Sequence, residues 1–107
     1  MEIEIYWTDF AKKELNKIFD YFQQKVNLKL ARKLTTQIVS DTDILKSSPE
    51  IGTREENLKS RPQKFRYIVS TNYKIIYWYN SEMDRVEIVD VFDTRQNPKK
   101  IKRNKRH

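Results

Sequence analysis

The side chains able to do chemistry in this chain are lysine, arginine, tyrosine, aspartate and glutamate, because the other usual agents are missing. There is no Cys and a single His, His107, which removes thiol nucleophiles, disulfides, Cys-type zinc sites and iron–sulfur clusters. A Ser-His-Asp arrangement has no interior base, and a His-rich metal site cannot be built. One Gly, Gly52, is too few for a Walker A loop or a G-x-G-x-x-G turn. No metal or cofactor is therefore expected. Paired acids such as Asp41 with Asp43, or Glu55 with Glu56, do not face each other on a regular element and carry no chemistry.

The basic residues are placed unevenly. All 15 acidic residues lie at or before Asp93, and residues 1–94 hold the same number of Lys and Arg, so that body is neutral. The formal charge of +7 resides in Arg95, Lys99, Lys100, Lys102, Arg103, Lys105 and Arg106. A neutral body with a basic segment attracts polyanions through that segment.

The elements that must position these groups follow from periodicity. The chain has 107 residues, enough for one domain and one modest core. Ile3, Ile5 and Trp7 alternate with Glu2, Glu4 and Tyr6, a short strand. Thr8 offers a helix cap, Asp9 a favourable first-turn charge, and Ala11, Leu15, Ile18 and Phe22 an apolar stripe, predicting a helix over about 9–24. Leu28, Ala31, Ile38, Thr42 and Leu45 predict a second helix to about Lys46, stopped by Ser47-Ser48-Pro49. Only Lys25, Val26 and Asn27 separate the two, so they form an antiparallel hairpin.

After a loop from Pro49 to about Gln63 the period becomes two. Phe65, Tyr67 and Val69, then Tyr73, Ile75, Tyr77 and Tyr79, predict two strands turning at Ser70-Thr71-Asn72, and a second turn at Asn80–Asp84 leads to Val86–Phe92. That last run is apolar on both faces, as in a central strand covered on one side by the helices. Asp90 within it needs a donor, for which Arg66 or Lys74 is the expected choice. The order β-α-α-β-β-β predicts an α+β fold: an N-terminal strand along one edge, a helical hairpin and a three-stranded antiparallel meander. Residues 1–98 are read as one domain and 99–107 as a basic C-terminal tail. No run approaches the ~20 apolar residues of a membrane span, and the acidic start is unlike a signal peptide, so a cytoplasmic protein without membrane contact is expected.

Ala11 and Leu15, Ala31 and Ile38, the spacing Leu45-x3-Pro49-x2-Gly52, then Arg66, Tyr73-Lys74-Ile75-Ile76-Tyr77, Ile88, Val91 and Arg95-Gln96-Asn97-Pro98 resemble the RelE/ParE superfamily of type II toxin–antitoxin toxins. The resemblance spans residues 1 to about 98. It implies a toxin that inhibits growth when free and is silenced in a heteromeric complex with its cognate antitoxin. It also implies one of two activities: ribosome-dependent, metal-independent mRNA cleavage, or ParE-type inhibition of DNA gyrase without a hydrolytic site. A degenerate member that only binds its antitoxin is a third alternative.

Cleavage of the first kind resembles attack of a 2′-hydroxyl on the adjacent phosphate, which needs a base, an acid and cations for the developing charge. Arg66 and Arg95 match the superfamily's recurrent arginines and are the candidates for phosphate contact. Asp93 stands where many cleaving members carry His or Tyr, making it the candidate base or, alternatively, the ion-pair partner of Arg95. Lys59, Arg61 and Lys64, with Lys99, Lys100, Lys102 and Arg103, are candidates for nucleic-acid binding. With Arg66 and Arg95, the 59–64 cations are expected to converge on one face.

Overall fold

The structure, a computed structural model, describes residues 3–104; Met1 and Glu2, and Lys105, Arg106 and His107 of the basic tail, lie outside them. The chain runs β1 (Glu4–Trp7), α1 (Asp9–Lys25), α2 (Leu28–Asp41), β2 (Thr53–Arg54), β3 (Arg66–Ser70), β4 (Tyr73–Asn80) and β5 (Arg85–Asp93). Three 3-10 turns accompany these, at Thr42–Lys46, Glu56–Leu58 and Pro98–Arg103. The sheet order is β1-β5-β4-β3-β2, with β1 parallel to β5 and every other neighbour antiparallel. This is the expected α+β order, extended by the two-residue β2 within the stretch read as a loop.

Thr8 joins the sheet to the first helix. Its N–H and its hydroxyl both donate to the Ile88 carbonyl at 3.0 Å, ending the β1 ladder, while Oγ1 accepts from the Ala11 N–H at 3.2 Å. One residue thus closes the strand and caps α1. Asn27 repeats the device at α2, accepting from the Leu30 N–H at 2.8 Å. The second helix leaves α geometry at Asp41, five residues earlier than expected. Thr42 and Leu45 are both buried at a spacing of three, and only the tighter 3-10 turn eclipses residues three apart. The Thr42 hydroxyl also bonds the Val39 carbonyl at 2.7 Å, competing locally with the helix ladder.

The hairpins turn where expected, and each uses a left-handed residue, Thr71 at φ 54° and Asp84 at φ 51°. Between β4 and β5 the register shifts: Tyr77 pairs with Ile88 and Ile76 with Asp90, leaving Val89 as an extra residue. Such a bulge bends the strand and frees a carbonyl. The Val89 carbonyl is satisfied by the side-chain amide of Asn104 at 3.0 Å.

Two apolar clusters sandwich the sheet. On the helical side Ala11, Ile18, Ile38 and Leu45 pack on Tyr73, Ile75, Tyr77, Val86, Ile88 and Val91. On the other side Ile76, Val89 and Phe92 are covered by Leu58, Phe65 and Ile101. Apart from Phe65, at the entry to β3, the second cover comes from segments without helical or strand periodicity, the Pro49–Gln63 loop and the start of the basic tail. Ile101 is 1% exposed, so residues 98–104 are a packed part of the body.

Arg103 fixes that segment. Its Nη1 donates to Asp90 Oδ2 and its Nη2 to Asp90 Oδ1, both at 2.8 Å, and Nη2 also donates to Glu14 Oε1 at 2.7 Å. The guanidinium lies 5.1 and 5.2 Å from the ring centroids of Phe10 and Phe92. Asp90 therefore finds its donor in the C-terminal segment, not in Arg66 or Lys74. Lys74 is engaged by the buried Glu55 at 3.1 Å, and Arg66 donates to the Gly52 carbonyl at 2.9 Å. Burial, only partly offset by Arg103, raises the Asp90 carboxyl to about 6.

Two outcomes test this packing. A Cβ on Gly52 would stand 2.6 Å from the Tyr77 hydroxyl and 2.7 Å from the Tyr67 carbonyl, so Gly52→Ala should lower the unfolding free energy read from urea titrations by the ~1–3 kcal/mol of overpacking. Because the folded carboxyl of Asp90 binds its proton at higher pH than the unfolded one, its own contribution to stability rises as pH falls from about 7 to 4. Removing its cation must then hurt most where Asp90 is ionised. Arg103→Ala should cost roughly 2 kcal/mol at pH 8, less than a fully buried pair because a third of the Arg103 side chain meets solvent. At pH 5 the penalty should shrink toward the loss of the Glu14 contact alone. An equal penalty at both pH values in denaturant titrations would refute this coupling.

Candidate functional site

A cleft of about 520 Å³ opens where α1 passes the C-terminal end of β5, lined among others by Glu14, Lys17, Tyr21, Tyr73, Asp93 and Arg95. Glu14, Lys17 and Tyr21 recur at three- and four-residue spacing and so share one face of α1. Tyr73 pairs with Asp93 across the β4–β5 ladder. Just beyond, Thr94 donates through its N–H and hydroxyl to the Asn72 carbonyl, both at 2.9 Å, tying the exit of β5 to the β3–β4 turn. That tie sets where Arg95 leaves the sheet.

Arg95 folds back onto Asp93. Its Nε donates to Oδ1 at 3.0 Å, its Nη2 to Oδ2 at 2.9 Å, and its backbone N–H to Oδ1 at 2.9 Å. These bonds from Arg95 hold the Asp93 carboxyl below the usual carboxylate range. Asp93 is therefore an ion-pair partner whose proton affinity is kept low, the opposite of what a general base near neutral pH requires. Burial and the Asp93 charge raise the Tyr73 phenol, which stays protonated and can donate. The second carboxylate, Glu14, is engaged by Lys17 at 3.0 Å and by Arg103. The cleft thus presents cations and phenols, with both of its carboxylates in ion pairs.

The other candidate residues lie elsewhere. Arg66 pairs with Tyr77, whereas Tyr73, beside Arg95, is four residues away along β4, roughly 13 Å at strand rise. Arg66 holds the Gly52 carbonyl and stands 3.8 Å from Glu50, so it braces the loop entering β2. It does not converge with Arg95. Arg61 donates to the carbonyls of Lys102 and Asn104 and clasps the C-terminal segment. Of the seven nucleic-acid candidates, Arg61 and Arg103 thus hold the fold together. Lys59, Lys64, Lys99, Lys100 and Lys102 are exposed and make no salt bridge among the described residues.

Lys17 and Tyr21 are not among the candidates read from the sequence, and Tyr73, read there as a strand residue, borders the cleft while packing in the helical-side core at 5% exposure. The α1 spacing of Glu14, Lys17 and Tyr21 was the available signal, polar groups on the flank of an apolar stripe. No helix among the described residues is long and apolar enough to cross a membrane.

No curated protein sequence matches the chain. Among solved structures, the chromosomal ParDE toxin–antitoxin system of P. aeruginosa is similar at TM-score 0.70 and 16% identity, covering 85% of this chain and 95% of that one. The toxin–antitoxin complex RelBE2 of Mycobacterium tuberculosis gives 0.54 at 15% identity over 87% and 99%. A mutant of the E. coli toxin RelE in the free state gives 0.56 at 18% identity over 87% and 84%. At these identities the structures establish the shared fold. The family model described as the ParE toxin of the type II toxin–antitoxin system, parDE, matches residues 5–98, nearly the whole body from β1 to the start of the last 3-10 turn, and the chain therefore belongs to the ParE toxin family of type II toxin–antitoxin systems.

Proposed function

We propose that this toxin arrests growth by binding DNA gyrase, without hydrolysing nucleic acid, and that a cognate antitoxin silences it. The observation that carries this reading is the state of Asp93, the one acid or base candidate at the end of the last strand. It is held to Arg95 by three hydrogen bonds, which lower its proton affinity below that of an ordinary carboxylate. Transfer of a 2′-hydroxyl proton needs a base of the opposite character. The cations also stand apart, since Arg66 braces the Gly52 loop opposite Tyr77, four residues along β4 from Tyr73. What remains is a binding surface, consistent with membership of the ParE family.

The antitoxin partner fits the same picture. Beyond β2, which pairs only with Tyr67 and Arg66, no further strand pairs with the outer edge of β3 at Ile68 and Val69 among the described residues, and Val69 is 59% exposed. An extended segment can add to such an edge through backbone bonds and bury the adjoining apolar residues.

Purified gyrase provides the test. The chain should block supercoiling and accumulate broken DNA, while primer extension on mRNA translated in the presence of the toxin shows no new cuts. Codon-positioned cuts lost on Arg95→Ala would replace this reading with the ribonuclease one. Silence in both assays would leave only antitoxin binding.

A further inference from the structure

The basic segment is held rigidly by the fold, and that changes what its lysines can do. In the 3-10 turn Pro98–Arg103, with three residues per turn, Ile101 and Asn104 share the inward side and are 1% and 4% exposed. Lys99, Lys100 and Lys102 are left on the outer sides, exposed. The turn is anchored at four points: Ile101 in the second core, Asn104 on the Val89 carbonyl, Arg103 on Asp90 and Glu14, and Arg61 on two of its carbonyls. Leu58 and Phe65 pack in the same cluster as Ile101, and Lys59 and Lys64, next to them in the chain, are exposed. Against these five lysines, residues 53–64 and 94–104 contribute one exposed carboxylate, Glu56. The carboxylates underneath are already engaged, Glu55 by Lys74 and Asp90 by Arg103.

We propose that Lys99, Lys100 and Lys102, flanked by Lys59 and Lys64, form a preorganised contact surface for the phosphate backbone of double-helical DNA. Cations held on an ordered scaffold lose less side-chain and chain entropy on binding than the same cations on a free tail. The choice of a duplex follows from what the surface lacks. None of the exposed large apolar residues falls within residues 53–68 or 94–104. The nearest aromatics, Tyr67 and Trp78, are partly buried against the same cluster, and Lys74 lies over the Tyr67 ring at 4.1 Å from its centroid, so unpaired bases find no freely exposed aromatic platform there and an acidic peptide no exposed apolar anchor. A backbone of regularly spaced phosphates requires neither. The surface stands independently of the gyrase reading, which would give it a purpose, since the enzyme and the DNA it holds could be contacted together.

The test is fluorescence anisotropy of the full chain with a labelled DNA duplex of about 25 base pairs, between 50 and 200 mM salt and without gyrase. Binding should weaken steeply with salt. In the Lys99→Gln/Lys100→Gln/Lys102→Gln variant the slope of log K against log salt should fall by about 2–3, at ~0.9 per phosphate contact, with affinity at 50 mM at least ~10-fold lower. Lys59→Gln/Lys64→Gln should give a smaller loss, and Lys29→Gln/Lys33→Gln on α2 none. Circular dichroism and urea midpoints confirm that each variant folds, because Ile101, Arg103 and Asn104 are untouched. Absence of duplex binding at 50 mM, or a triple variant that binds as the wild type does, would overturn the proposal. So would tighter binding of the single strand, of an RNA duplex or of polyglutamate. Gyrase inhibition that persists without DNA binding would overturn this surface and leave the function intact.

Discussion

The contact on which the rest of this structure leans is the guanidinium of Arg103, shared between Asp90 on β5 and Glu14 on α1. Asp90 is 2% exposed in the middle of the most buried strand, where an unpaired carboxylate would be costly. Arg103 makes its burial tolerable and in doing so draws the C-terminal segment across the second face of the sheet. Ile101 then closes the cluster of Ile76, Val89 and Phe92. Electrostatics and packing are therefore coupled: the ion pair places the apolar cover, and the cover keeps water from the ion pair. Since such pairs seldom add much net stability over apolar replacements, its value here is positional, fixing one segment against one helix and one strand.

Much of the fold was legible in the residues. The alternation around Ile3, Ile5 and Trp7, the Thr8 cap, the Ala11–Phe22 stripe and the two-residue period after Gln63 report single-face burial, which periodicity is suited to detect. The double-sided apolar run at Val86–Phe92 also announced a central strand. What filled its second face was not legible. Residues 98–104 carry one buried aliphatic, Ile101, among four cations, and a short 3-10 turn has no repeating pattern to read. For the same reason Arg103 looks, in sequence, like one more tail charge, and the donor for Asp90 is sought on the neighbouring strands instead. Only the third dimension brings residues 13 and 89 apart in sequence onto one guanidinium.

The candidate site divides in the same way. The pairing of Asp93 with Arg95 lies within three residues and was foreseeable as an ion pair, whereas the expected convergence of Arg66 on Arg95 depended on register. With Arg66 opposite Tyr77 and Asp93 opposite Tyr73, the two arginines serve positions four residues apart on β4. One braces a loop through a carbonyl, and the other borders a cleft. A sequence motif that unites them would unite groups that the sheet keeps apart.

The Thr8–Ile88 junction has a consequence for how the chain reaches this state. It links residues 80 apart in sequence, and β1 lies parallel to β5, so no hairpin can form the pair. The Asn80–Arg85 pairing closes a loop of only five residues. By the logarithmic scaling of loop closure, the junction carries about 2.5 kcal/mol more entropic cost than that turn. The helical hairpin and the β3–β5 meander, each built from local contacts, bear little of this cost. The largest loop-closure cost in the sheet thus falls on a strand of only four residues.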